Sequence, residues 1–185
     1  MINVDPSLTP FANVVALIVA NNGAGEFNPP YELTDTRIEF GAVTTYSDVA
    51  NPSANSEVAV NAILDAGYSG SVNISYYRPT FTEAATTPGT TIQVDTTDAV
   101  TDTPAYEARV KAAIAAGYGL REDQITWPTI PVPSSENNPE TMDISPIAGS
   151  LLYQGAALTV TFAATDTDIA LSTVITTTAL SGFTF

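Results

Sequence analysis

With 185 residues, 44% of them hydrophobic, the chain can bury a sizeable core, either as one compact domain or as two small units sharing one. Twenty acidic residues against five cationic ones leave a net charge of −15. The cations Arg37, Arg78, Arg109, Lys111 and Arg121 make no basic cluster, which excludes phosphate-neutralising nucleic-acid binding and attraction to an anionic membrane surface. The absence of Cys and His removes disulfides, Ser–His and Cys–His nucleophiles and the usual zinc ligand sets.

Met1-Ile2-Asn3-Val4-Asp5 lacks the basic stretch that opens a signal peptide, and the longest apolar run, Val14 to Ala20, is too short to span a bilayer. Assembly in the cytoplasm is the expectation. Thr9 is a good N-cap and Pro10 suits a first helical turn, so a helix is predicted there. Phe11, Val14, Val15 and Ile18 give it one apolar face, and Asn21-Asn22-Gly23 stops it. After a loop through Asn28-Pro29-Pro30, Leu33 to Phe40 ends in strand-like alternation. Glu57 to Ala62 alternates too, with a helical reading still open. The turn Gly67-Tyr68-Ser69-Gly70 introduces a clear strand, Ser71 to Tyr77, and Thr90 to Asp95 is a further candidate.

The order then starts again. Thr103-Pro104 repeats the Thr9-Pro10 helix start, Tyr106, Val110 and Ile114 form an apolar stripe, and Gly117 is the expected stop. Leu120, Ile125 and Trp127 keep the spacing of Leu33, Ile38 and Phe40. Met142-Asp143-Ile144 takes the place of Val58-Ala59-Val60, Tyr153-Gln154-Gly155 that of Tyr68-Ser69-Gly70, and Leu158 to Phe162 that of Val72 to Tyr76. The offset stays within about 84 to 95 residues, a drift that short loop insertions absorb. This pattern predicts an internal duplication, with halves at residues 1–100 and 101–185 sharing one core. Ile169 to Thr176 reads as a last strand, and Ser181 to Phe185 as an aromatic closing segment able to dock in cis or in a neighbouring subunit.

Taken together, the helix ending Asn22-Gly23, the spaced Leu33, Ile38 and Phe40, and the run from Gly67 to Tyr77-Arg78 resemble a group of virion structural proteins of jumbo tailed phages. So do Tyr118-Gly119-Leu120 and Glu122-Asp123-Gln124-Ile125 in the second half. The likeness runs from about Thr9 to Phe162. It implies a virion component without catalytic residues or cofactor. Its partners would be capsid or tail subunits and further copies of itself, with no nucleic acid or membrane partner. The proline-rich loops at Asn28-Pro29-Pro30 and Ile130 to Pro139 have no counterpart in that pattern, which leaves head and tail both open, the capsid surface being favoured.

Weaker chemical signals remain. Glu57, Asp65, Glu140 and Asp143 are the carboxylates that a glycosidase-like acid and base pair would draw on, without a recognisable motif. Asp166-Thr167-Asp168 and Asp95 to Asp102 could offer oxygen ligands to calcium, without EF-hand spacing. Tyr76 and Tyr77 fall on opposite faces of a strand, so at most one is free to stack on a sugar, and Trp127 aligns with Phe40 as a core residue. The expected fold is α+β, predominantly antiparallel and sandwich-like, with two pseudo-repeats each packing one helix on a small sheet. The expected function is non-enzymatic assembly in a virion, the alternative being an adhesin-like or carbohydrate-binding module. No catalytic, cofactor or metal residue is assigned.

Overall fold

A computed structural model describes residues 4–23, 32–49, 51–96, 99–134 and 138–165. The proline loop at 28–30, the strand expected at 169–176 and the closing segment 181–185 lie outside the described residues.

The first helix, α1 (Pro10–Asn22), starts as its sequence dictates. The Thr9 hydroxyl accepts the Ala12 N–H, Pro10 occupies the first turn, and Gly23 follows at φ +92°. Val14 is buried, and Phe11 packs against Phe40 with ring centroids 5.1 Å apart. Asn13 is also buried. Its side chain accepts the Asp5 N–H and donates to the Asp5, Leu8 and Thr9 carbonyls, tying the N-terminal segment to the helix.

The first sheet contains β1 (Ile38–Phe40), β2 (Thr44–Thr45), β3 (Ser56–Ala62) and β4 (Ser71–Tyr76), all paired antiparallel to β3. β3 alternates buried Ser56, Val58 and Val60 with less buried neighbours, so tertiary pairing settles its strand-or-helix ambiguity as strand. After the short α2 (Phe81–Ala84), β5 (Thr91–Val94) crosses to the second sheet and runs parallel to β8 (Leu158–Ala164). β7 (Glu140–Pro146) pairs antiparallel with β8, and β6 (Ile125–Thr126) with β7. The class is therefore α+β with antiparallel pairing dominant. Although β5 precedes residue 100, it belongs to the second sheet.

Both sheets contain a three-strand meander in one register. Val60 faces Val72 and Val58 faces Ile74 in the first; Ile144 faces Leu158 and Met142 faces Val160 in the second. Ile38 meets Ala62 where Ile125 meets Pro146.

The second long helix, α3 (Thr103–Tyr118), departs from expectation at both ends. Asp102, not Thr103, is the N-cap, with its carboxylate accepting the Ala105 N–H, because Pro104 occupies the second helical position rather than the first. Gly117 does not end the helix. It lies inside, where a Cβ would come within 2.3 Å of Ile92 Cδ1, so the glycine lets α3 approach β5 closely. The C-cap is Gly119, in the left-handed region at φ +68°. Tyr106, Val110 and Ile114, the predicted stripe, are fully buried.

Among the described residues one hydrophobic core gathers side chains from both sheets and from α1, α2 and α3, including Val14, Val58, Phe81, Ile114, Ile144 and Phe162. Among the described residues no helix is long and apolar enough to cross a membrane.

Candidate functional site

The residues leaving β4 cross from one half of the chain to the other. Tyr76 is buried, and its hydroxyl donates to the Leu151 carbonyl at 2.9 Å. Arg78 then spreads its donors over both halves. Nε donates to Ser56 Oγ at 2.6 Å, and Nη1 to the carbonyls of Ser150 at 2.6 Å and Tyr153 at 3.2 Å. Asn55 holds the Arg78 backbone from both sides: its Oδ1 accepts the Arg78 N–H at 2.8 Å, and its Nδ2 donates to the Arg78 carbonyl at 2.9 Å. Ser150 completes the far side. Its hydroxyl donates to Gln124 Oε1 at 2.8 Å and accepts the N–H groups of Leu152 and Tyr153. Four residues on from Ser150, the Gln154 N–H donates to the Pro79 carbonyl, and Thr80 and Gln154 form an isolated parallel bridge.

This clasp is partly withdrawn from water, and its ionisable groups register that. Burial pushes the Tyr76 phenol up to about 12, with the Arg78 charge pulling it back part of the way. Burial also lowers the Arg78 guanidinium from its ordinary value, with Tyr76 acting in the opposite sense. Chemically the arrangement is a structural fork: a permanently charged planar donor satisfying carbonyls that would otherwise be buried unpaired.

Beside the clasp lies a groove of about 1250 Å³, lined by Leu17 and Ile18 of α1, Ile74 of β4, Leu151, and the exposed pair Tyr77 and Glu83. The Tyr77 hydroxyl donates to Glu83 Oε1 at 2.6 Å. Glu83 Oε2 accepts the backbone N–H and the hydroxyl of Thr80, closing a capping box on α2. The bond from Tyr77, followed by those from Thr80, holds the Glu83 carboxyl below its usual range, and the same contact raises the Tyr77 phenol.

The carboxylates singled out from the sequence are dispersed. Glu140 lies on the face of β7 that carries Met142 and Ile144, whereas Asp143 lies on the opposite face and accepts the Thr159 hydroxyl at 2.6 Å. Glu57 takes a hydrogen bond from Asn73 at 3.3 Å, and Asp65 is exposed in the β3–β4 turn at φ +62°. Asp102 is a helix cap, and residues 166–168 lie outside the described residues. Among the described residues no group of three acidic side chains is placed to hold a metal ion. Of the aromatic pair, Tyr76 belongs to the core and Tyr77 is 42% exposed; Trp127 is partly buried against the core.

Sequence reasoning missed the clasp. Its one legible member was Arg78, a lone cation after a strand of alternating residues. Ser56, Ser150 and Gln124 are ordinary polar residues whose burial depends on tertiary packing. The capping box Thr80-x-x-Glu83 was readable as a pattern and marks α2.

A family model, Family of unknown function (DUF7941), matches residues 7–185. No curated protein and no solved structure matches the chain.

Proposed function

We propose that this chain, which belongs to the family of unknown function DUF7941, is a non-enzymatic structural component of a tailed-phage virion. The observation that carries the reading is how the buried polar groups are used. Arg78, Tyr76, Ser56, Ser150 and Gln124 are engaged in holding the two halves of the chain to each other. The open features of the described surface are sheet edges and a groove, which serve docking rather than bond making. The resemblance of the sequence to jumbo-phage virion proteins supports the same reading, and Tyr77-Arg78, one of the marks of that resemblance, ends in the arginine of the clasp. A chain of net charge −15 suits a basic patch on a neighbouring capsid or tail subunit, with electrostatics setting encounter rate and register. We place it at the capsid surface in preference to the tail, assembled in the host cytoplasm. The shared register of the two meanders supports descent of the halves from one duplicated helix-and-sheet unit.

The test is to label purified phage particles with gold-tagged antibody and to analyse the same particles by mass spectrometry. Dense labelling of heads is the expected result, and labelling restricted to tails would move the protein to that assembly. Absence from the particles by both methods would end the virion reading.

A second reading, a carbohydrate-binding module, draws on Tyr77, whose half-exposed ring is held by Glu83 at the rim of the groove. It requires glycan-array binding that is lost in Tyr77→Ala. Tyr76, being core, is not a candidate platform.

A further inference from the structure

Sheet edges carry unpaired N–H and C=O groups, and proteins usually blunt them with short strands, charges or proline. Most edges here follow that rule. β1 has three residues including Glu39, β2 and β6 have two each, and β5 has four and runs directly into Asp95. β4 does not. It is six residues long, Ser71 to Tyr76, and the whole run from Ala66 to Tyr77 contains no charged residue and no proline. Arg78, the next charge, is turned inward onto Ser56 and Ser150. Among the described residues only β3 pairs with β4.

The free groups on that edge follow from the ladder. The Ala62 N–H donates to the Gly70 carbonyl, so Val72, Ile74 and Tyr76 direct their backbone groups at β3. Ser71, Asn73 and Ser75 therefore present theirs outward. On the apolar face of the strand Tyr76 is buried, but Val72 is 58% exposed. An uncharged edge with an uncovered valine is thus set in a chain of net charge −15.

We infer that β4 is a self-association edge, which pairs antiparallel with β4 of a second copy about a two-fold axis near Asn73. This rests on the assembly reading above and names the partner. Charge is what selects this occupant. Two copies with fifteen excess negative charges each repel over most approaches, and β4 is an edge along which their backbones can meet with no carboxylate on either strand. An isologous contact needs a self-complementary patch, and a short polar-apolar strand of Ser, Val, Asn and Ile supplies one. Pairing would satisfy the outward groups of Ser71, Asn73 and Ser75 and cover Val72.

The experiment is sedimentation equilibrium on the full chain and its variants across a salt series. Asn73→Pro removes an outward N–H together with the side-chain bond to Glu57 and leaves the β3 ladder intact, while Val72→Glu puts a charge on the edge at an exposed position. The full chain is expected to dimerise, more tightly in about 0.5 M than about 0.05 M salt. Both variants should weaken the dimer by about ten-fold or more, the scale of losing one or two net hydrogen bonds, with an unchanged circular dichroism spectrum. Val49→Glu, at a 95% exposed position outside β4, should dimerise normally. Because the chain has no cysteine, Asn73→Cys should give a covalent dimer with a short bismaleimide. A chain that is monomeric throughout overturns the inference, as does a dimer indifferent to both β4 variants. A dimer lost in Val174→Glu but kept in Asn73→Pro also overturns it, by shifting the contact to the C-terminal segment. A monomer that still appears in particles overturns only the β4 contact, whereas a β4 dimer missing from particles overturns only the virion reading.

Discussion

Replacing Arg78 with alanine tests whether the clasp holds the two halves together. The guanidinium makes three hydrogen bonds, to Ser56 Oγ and to the Ser150 and Tyr153 carbonyls, and a charged donor contributes about 1.5–3 kcal/mol net to each bond. Against that sum stands the cost of withdrawing the cation from water, visible as its lowered pKa and relieved by the substitution. The remaining loss is about 3–5 kcal/mol, a large share of the 5–15 kcal/mol by which domains are ordinarily stable. For a chain of this size it corresponds to a fall in Tm on the order of 10 °C. Arg78→Lys keeps the charge but cannot bridge Ser56 and Ser150 with a planar fork, so it should recover only part of the loss. Urea unfolding followed by both circular dichroism and tryptophan fluorescence measures the differences. Adding Ser56→Ala completes a double-mutant cycle, with an expected coupling of about 0.5–3 kcal/mol. If Arg78→Ala cost less than about 1 kcal/mol, or matched Arg78→Lys, the fork would not be what joins the halves.

Three further outcomes follow from the same geometry. The folded chain holds the Tyr76 proton more tightly than the unfolded one, so the stabilisation is whole below the ordinary value of 10.0 and disappears as pH rises toward about 12. That amounts to about 2–3 kcal/mol lost across this window, checked by thermal melts at stepped pH and blunted in Tyr76→Phe. Ser150→Ala strips the partner from two buried N–H groups and from Gln124, and should cost about 2–4 kcal/mol in denaturant titration. Gly119→Ala places a side chain at φ +68° with its Cβ 2.9 Å from Thr86 Cγ2, and should lower stability by about 1–3 kcal/mol by the same measurement.

Much of the fold was legible wherever a local rule coincided with burial. Thr9-Pro10 started a helix because capping and a fixed φ act within four residues. The spacing of Tyr106, Val110 and Ile114 marked a buried stripe because the helical period alone decides which side chains share a face. Gly117 misled for the complementary reason. Glycine signals both a helix stop and a close approach, and only the position of Ile92 on another strand separates the two. The parallel pairing of β5 with β8 and the burial of Ser56 and Ser150 arise from contacts distant in the sequence, which no window along the chain contains. The candidate site was legible only in its outline: Tyr77-Arg78 stood out as a motif, while the groups that give Arg78 its role come from positions 56, 150 and 153.

The proposed duplication and the clasp bear on each other. With Val72 to Tyr76 aligned on Leu158 to Phe162, Tyr77 and Arg78 fall opposite Ala163 and Ala164, both buried at the end of β8. The second meander thus ends in small residues inside the core, where β5 lies alongside in parallel. The first ends in a cation that reaches out to the turn between β7 and β8. Two identical units would each carry either a fork or a buried end, and could not be joined in this way. If the proposed duplication holds, these aligned ends differ where the halves meet, as expected of a symmetric ancestor that first associated as separate copies, with the fused chain then specialising each copy for its side of the contact. On that account β4 and β8 differ in fate for one reason. β8 would have gained β5 as a neighbour within the chain, while among the described residues β4 pairs with β3 alone.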